Sequence, residues 1–146
     1  ILLYVFSLPF FSISALKSNI QLLDKNVGMF CDDTRDAVKG HVFEAEIPGF
    51  VNGADGIEDK ILDSVTAWCG KDKVKAPSQI ITYVSAHDNW TLWDKLGKTI
   101  PDEKERERVN RLVAAIYMTC QGNLFSFPAR NLPEPRMGRK IPTTLL

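Results

Sequence analysis

Residues 80–89 read IITYVSAHDN, an apolar run that leads directly into three polar side chains. The β-branched and aromatic residues at 80–84 favour an extended strand. The polar residues that follow are His87, Asp88 and Asn89. In sheets of parallel strands, the loops after the strands converge at one edge, and that edge carries function. The order of residues therefore predicts a strand whose end presents a candidate site. A purely structural role is the alternative, in which Asp88 caps the turn into residues 90–93 and His87 only makes hydrogen bonds within the protein.

A second segment has the same form. Residues 27–30 are a short apolar run, and the charged sequence CDDTRD follows at 31–36. We expect a second strand end here, with Asp32 and Arg35 at the functional edge of the sheet. The alternative is that Asp32, Asp33 and Arg35 pair with one another at the surface.

The remaining pattern alternates helices and strands, which predicts an α/β fold with parallel strands. Apolar residues at helical spacing predict a helix over 57–68, capped by Asp55 and ended by Gly70. A longer helix is expected from Pro101, a favoured first helical residue, to Gly122. The other expected elements are a strand at 1–4, a short helix within 15–23, a loop at 40–56 and a strand at 124–127.

Composition limits the classes of function. The chain has 146 residues, enough for one domain, and 45% of them are hydrophobic, which is typical of a globular protein. Eighteen basic and eighteen acidic residues give no net charge, so we expect no nucleic-acid partner. The apolar residues 1–11 are interrupted by Pro9 and are too short to span a bilayer, so we expect no signal peptide and no membrane partner.

Metal and thiol chemistry have weak support. The two histidines, His41 and His87, are far apart, and no cysteine lies at zinc spacing from either. The three cysteines, at positions 31, 69 and 120, are predicted to be free structural thiols. We expect no metal and no other cofactor. The tryptophans at 68, 90 and 93 could stack on a sugar ring or a base, or could lie in the core.

Four ordered segments carry a family resemblance. Residues 83–96, YVSAHDNWTLWDKL, closely resemble the seventh-strand motif of type I pullulanases, the starch-debranching branch of the α-amylase superfamily and glycoside hydrolase family thirteen. Residues 30–40 (FCDDTRDAVKG) resemble that family's sixth-strand segment, and residues 48–53 (PGFVNG) resemble the loop after it. Residues 111–122 (RLVAAIYMTCQG) resemble the helix that enters the eighth strand. Because several motifs occur in order over about residues 15–122, the resemblance is specific.

The resemblance implies a fold and a function. The fold would be part of a (β/α)8 TIM barrel, about the fifth to eighth strands, within residues 1–127. The activity would be retaining hydrolysis of α-1,6 links in pullulan, amylopectin or glycogen. Asp88 matches the carboxylate that stabilises the transition state, while His87, Asn89, Asp32 and Arg35 match substrate-binding positions. The implied partners are an α-glucan and the missing half of the barrel. For a full-length enzyme, the resemblance is compatible with a structural calcium ion, for which this segment carries no motif.

The departures from the family pattern matter equally. The strand of the family's nucleophilic Asp would precede Ile1, and no Glu stands at the position of the general acid, since the first is Glu44. We therefore expect this chain alone to be inactive. The Pro-rich tail at 128–146 is predicted to be frameshifted or disordered. Two alternatives stay open: an isoamylase or glycogen-debranching relative, and a non-catalytic glucan-binding module built on Trp90, Trp93 and the Asp32 cluster.

Overall fold

A parallel three-stranded sheet organises the chain. The computed structural model describes residues 17–68 and 73–126. The strands are β1 (Met29–Phe30), β2 (Ile80–Thr82) and β3 (Asn123–Leu124), and β2 is the central one. Both neighbours pair with β2 in parallel. The expected α/β fold is confirmed at this level, while the strand predicted at 1–4 lies outside the described residues.

Within residues 17–68 and 73–126, four α-helices connect and cover the strands, because parallel neighbours need crossover connections. The helices are α1 (Asp32–Lys39), α2 (Glu58–Val65), α3 (Leu92–Thr99) and α4 (Glu103–Thr119). Short 3-10 turns occur at Lys17–Leu22, Phe50–Asn52 and Pro77–Gln79. Helix α1 follows β1 after a single residue, and α3 and α4 lie between β2 and β3. The charged cluster at 31–36 thus lies mostly in helix α1, and residues 92–99 form helix α3. The sequence analysis predicted neither helix.

Helix α4 begins with a side-chain cap. The Asp102 carboxylate accepts a hydrogen bond from the backbone N–H of Glu105 at 2.8 Å, and acidic residues occupy the first turn, near the positive end of the helix dipole. Pro101 therefore precedes the cap, and its prediction as the first helical residue was wrong. The helix ends at Thr119, before Gly122, because Cys120 is already extended.

Helix α2 is shorter than predicted. It spans Glu58–Val65, and the residue at its N-cap position is Ile57, whose side chain makes no capping bond, so the prediction that Asp55 caps it was wrong. At the other end Ala67 and Trp68 have positive φ angles of 50° and 60°, which ends the helical path. This turn places the Trp68 ring in the core, where it is 7% exposed. The predicted stop, Gly70, lies outside the described residues.

Two hydrophobic clusters form the core. The first joins helices α1, α3 and α4 to the segment after β2, and the second lies between β1, β2 and the end of α2. Each fully buried aliphatic side chain contributes roughly 1.5–3 kcal/mol. The first cluster contains Val38, Val84, Leu92, Leu96, Val109, Val113 and Tyr117. The second contains Ile20, Met29, Cys31, Ala67, Trp68 and Ile80.

The other expectations have mixed outcomes. The central strand is confirmed but ends at Thr82, two residues early, and β3 is Asn123–Leu124 where residues 124–127 were expected. The short helix expected within 15–23 is a 3-10 turn. The tail at 128–146 lies outside the described residues. Within the described part of the chain, every helix is too short or too polar to cross a bilayer.

Candidate functional site

Helix α1 presents a charged network to the segment after β2. The Arg35 guanidinium donates to both carboxylate oxygens of Asp36, at 2.7 and 3.2 Å, and to Asp32 Oδ1 at 3.1 Å. It also donates to the Tyr83 hydroxyl at 2.5 Å, and that hydroxyl donates to Asp32 Oδ1 at 2.5 Å. Two predicted site residues of α1, Asp32 and Arg35, are therefore bonded to each other and to Tyr83 after β2, a residue that the sequence analysis did not select.

Burial and charge fix the ionisation of this network. Burial opposes the charge on Arg35, but the hydrogen bond and charge of Asp36, together with the charges of Tyr83 and Asp32, outweigh it and raise the pKa of the guanidinium. Burial and the hydrogen bond to Asp32 raise the pKa of Tyr83. Tyr83 thus remains a hydroxyl donor at neutral pH. The Asp32 side chain is 59% exposed while that of Arg35 is 10% exposed, so Asp32 is the member that faces solvent.

The residues His87, Asp88 and Asn89 lie in the turn that follows β2. His87 and Asp88 are exposed, and Asn89 is half-buried. The Asn89 side-chain amide donates from Nδ2 to Asp88 Oδ1 at 2.9 Å. The structural alternative for Asp88 was wrong, because helix α3 is capped by Thr91, whose hydroxyl accepts from the backbone N–H of Asp94 at 3.2 Å.

A buried lysine that the sequence analysis did not select connects the two groups. Lys39, the last residue of α1, is 0% exposed. Its Nζ donates to Asn89 Oδ1 at 2.9 Å and to the backbone oxygen of Trp90 at 2.6 Å. Burial, followed by the positive charge of Arg35, lowers the pKa of Lys39 to about 7. Its spacing of four residues from Arg35 was the available signal, because residues one helical turn apart share a face.

The loop after α1 is held by a second buried lysine. Lys95 of α3 is 0% exposed, and its Nζ donates to four backbone oxygens. The acceptors are His41, Glu44, Ala45 and Ile47, at 2.7–2.9 Å. Burial lowers the pKa of Lys95, while the nearby acids Glu46, Asp36 and Glu44 oppose this shift. The predicted loop at 40–56 is confirmed, apart from the 3-10 turn Phe50–Asn52, and Lys95 holds its first part.

The three tryptophans differ in their surroundings. Trp68 is a core residue whose indole N–H donates to Thr34 Oγ1 at 3.4 Å, so it is not an open stacking surface. Trp90 and Trp93 are half-buried. Lys98 Nζ lies 5.3 Å from the Trp90 ring centre, and the Arg106 guanidinium carbon lies 5.0 Å from that of Trp93. Each of these rings thus already has a cation near it.

Metal and thiol sites are not supported in the described residues. Across 17–68 and 73–126, no group of three or more His, Cys, Asp or Glu side chains is arranged to hold a metal ion. Cys31 and Cys120 are buried free thiols, as predicted, and Cys69 lies outside the described residues. Burial, followed by the nearby Cys31, raises the pKa of Cys120 to about 11, which disfavours its reactive thiolate form. Two grooves of about 530 and 540 Å³ lie on either side of Asp33 and Trp68, and neither is lined by His87, Asp88 or Asn89.

The chain is similar to a segment of several pullulanases. No protein-family model matches it. It is 36% identical over 118 residues to the pullulanase of Bacillus subtilis (strain 168), covering 77% of this chain and 16% of that protein. A structure of a mutant pullulanase from Paenibacillus barengoltzii complexed with maltotetraose is 38% identical with a TM-score of 0.68, over 75% of this chain and 18% of that one. The pullulanase of Bacillus acidopullulyticus is 36% identical with a TM-score of 0.62, over 66% of this chain and 12% of that one. The chain thus spans less than a fifth of these relatives.

Proposed function

Because this chain is homologous to a segment of the type I pullulanases, as its motifs predicted, we propose that it forms part of the catalytic barrel of an α-1,6-glucan hydrolase. The substrate would be pullulan, amylopectin or glycogen, and the described part would supply about the sixth to eighth strands of the barrel. The tail at 128–146 would lie outside the catalytic fold. The observation that carries the proposal is the set of polar side chains that follow β1 and β2, linked across the sheet by Tyr83 and Lys39.

Asp88 is the proposed transition-state stabiliser. Its carboxylate is exposed, and Asn89 holds Oδ1, which leaves Oδ2 for sugar hydroxyls. A carboxylate that accepts sugar hydroxyls binds more strongly as the ring flattens and becomes oxocarbenium-like, so it lowers the barrier more than it strengthens substrate binding. His87, also exposed, is the proposed neighbouring donor to the sugar.

The charged network of α1 gives the proposed binding roles their order. Asp32 is exposed and would contact the glucan directly. Arg35 is engaged with Asp36, Asp32 and Tyr83, so it would act by holding Asp32 in place. Asn89 would act by orienting Asp88. A retaining mechanism also needs a nucleophile and a general acid, and these would come from outside this chain, which alone would not hydrolyse glucan.

A chimeric enzyme tests this function. Residues 29–126 replace the matching segment of the Bacillus subtilis pullulanase, and release of reducing sugar from pullulan is measured. We expect the chimera to be active and Asp88→Asn to lower kcat by about 10²–10⁴, with glucan binding largely retained. Asp55→Asn, at an exposed position in the loop before α2, is the matched control. An Asp88→Asn chimera with unchanged kcat would remove Asp88 from the site.

A glucan-binding module is the second candidate. It is favoured because Asp32, His87 and Asp88 are exposed and could contact a sugar, and binding a sugar needs no catalytic nucleophile. Titration of this chain with maltotetraose separates the two functions. Binding by this chain, combined with an inactive chimera, would favour the binding module. The names of the relatives give no support to an isoamylase or a glycogen-debranching enzyme.

A further inference from the structure

We propose that Lys39 is a positioning residue that fixes the Asn89 side chain and, through it, the Asp88 carboxylate. The proposal deepens the proposed function, because it rests on a role for Asp88 at the sugar. Lys39 does not touch the sugar in this scheme. It acts across two hydrogen bonds, from the end of α1 to the turn after β2.

The first argument is the chemistry of Asn89. A protonated lysine side chain can only donate hydrogen bonds, and an ionised carboxylate can only accept them. Asn89 lies between the two, with Oδ1 2.9 Å from Lys39 Nζ and Nδ2 2.9 Å from Asp88 Oδ1. Rotating the amide by half a turn would place donor against donor and acceptor against acceptor. Lys39 and Asp88 therefore define one orientation of Asn89.

The second argument is that Lys39 is itself held in place. Its backbone oxygen accepts from Asn52 Nδ2 at 3.4 Å, and the next residue, Gly40, ends α1 with a backbone bond to Asp36. Its Nζ also donates to the backbone oxygen of Trp90, one residue beyond Asn89. The amine therefore fixes both the side chain and the main chain of the turn.

The third argument is energetic. Burying an amine costs free energy that an apolar side chain of similar length would not cost, and the lowered pKa of Lys39 reflects this cost. The charged groups that act on it are Arg35 and Asp36 of α1, Lys95 of α3 and Asp88 of the turn. The two acceptors suit a neutral amine, which has two N–H bonds. Lys39 can thus keep both contacts when it loses its proton.

The test uses the complete chain and an NMR measurement of the Asn89 side-chain amide. We expect the Lys39 and Asn89 signals to titrate together with a midpoint near pH 7. In Lys39→Met the pH-dependent change of the Asn89 signals should vanish. The chemical shifts of the two Asn89 side-chain amide protons should both move toward the values of a free asparagine side chain. The control is Lys104→Met, at an exposed position in the first turn of α4.

Titration with maltotetraose gives the functional readout. We expect Lys39→Met to weaken binding at least fivefold relative to Lys104→Met. An Asn89 amide that is unchanged in a folded Lys39→Met variant would overturn the proposal. If that variant does not fold, an Asn89 side-chain amide in the unmodified chain with the two proton shifts of a free side chain would overturn it instead. If Asn89 responds as expected but the unmodified chain binds no maltotetraose, Lys39 still positions the turn, and the assumed contact between this turn and the glucan fails.

Discussion

Replacing Lys95 with methionine should release the loop after α1 while leaving the core folded. The Lys95 ammonium holds four backbone oxygens of residues 41–47, at 2.7–2.9 Å. Methionine has a similar length and is apolar, so it can fill the space that the aliphatic part of the buried Lys95 occupies. It cannot donate a hydrogen bond to any of the four oxygens.

The size of the effect follows from the number of bonds and from their exposure. An ammonium has three protons, so it supplies at most three full hydrogen bonds, each contributing about 1.5–3 kcal/mol when the donor is charged. The gross contribution is therefore about 4.5–9 kcal/mol. Desolvation of the ammonium offsets part of it, and the carbonyls can bind water once the loop detaches, since Phe43, Glu44 and Glu46 are exposed. We expect a net loss of about 3 kcal/mol, concentrated in the loop.

Limited proteolysis measures this loss. A glutamyl endopeptidase cuts after Glu44 and Glu46 only when the loop opens, and its rate follows the open population when opening is fast. A loss of about 3 kcal/mol should raise that rate by roughly a hundredfold. The control is Lys98→Met, an exposed lysine of the same helix. If Lys95→Met were cut in the loop no faster than Lys98→Met, the four hydrogen bonds would not hold the loop.

Two further predictions concern the stability of the same region: one concerns packing at Gly49, and the other concerns the charge on Lys39. Gly49→Ala should lower the free energy of unfolding, measured in urea, by about 1–3 kcal/mol, because the new Cβ would lie 2.6 Å from the Val38 oxygen and still nearer the Gly40 nitrogen. The control is Gly97→Ala in α3, whose new Cβ meets only a flexible arginine side chain. This control should be neutral or stabilising. The free energy of unfolding should also rise with pH above about 7, because native Lys39 loses its proton there while the unfolded chain keeps it to about 10.5. Lys39 contributes at most about 1.4 kcal/mol per pH unit to this rise. A Lys39→Met variant whose free energy of unfolding has the same slope against pH would contradict the prediction.

Local pattern predicted the elements that have strong local signals. The run at 80–84 gave β2, and the apolar stripe with an acidic start gave α4, although both were drawn too long. Helix α1 was missed because its sequence, DDTRDAVK, has only two apolar residues and no helical stripe. Helix α2 was drawn too long because the ring of Trp68 turns into the core, and that is a tertiary effect that periodicity does not contain.

The candidate site was predicted in part. Asp32, Arg35, Asp88 and Asn89 were selected from their positions after strands, and the structure joins them in hydrogen-bonded groups. The residues that hold these groups together were not selected. Lysine is rarely buried, so residue type argues against a lysine at the centre of a site, and the four-residue spacing from Arg35 becomes a signal only once α1 is known to be a helix. A long-range partner such as Asn89, fifty residues from Lys39, is set by the packing of α1 against α3.

The two buried lysines explain how so short a sheet can support an ordered edge. The strands have only two or three residues each, so few ladder bonds fix β1 against β2. Lys39 lies in α1, the helix after β1, and binds the turn after β2. Lys95 lies in α3, the helix after β2, and binds the loop after α1. Each strand-helix unit thus holds the loop of the other. Since α1 also packs against α3 in the apolar core, a shift of one unit would break both lysine contacts at once. The reciprocal contacts therefore fix the position of the Asp32 network relative to the turn of Asp88, the two groups to which the proposed function assigns the glucan contacts.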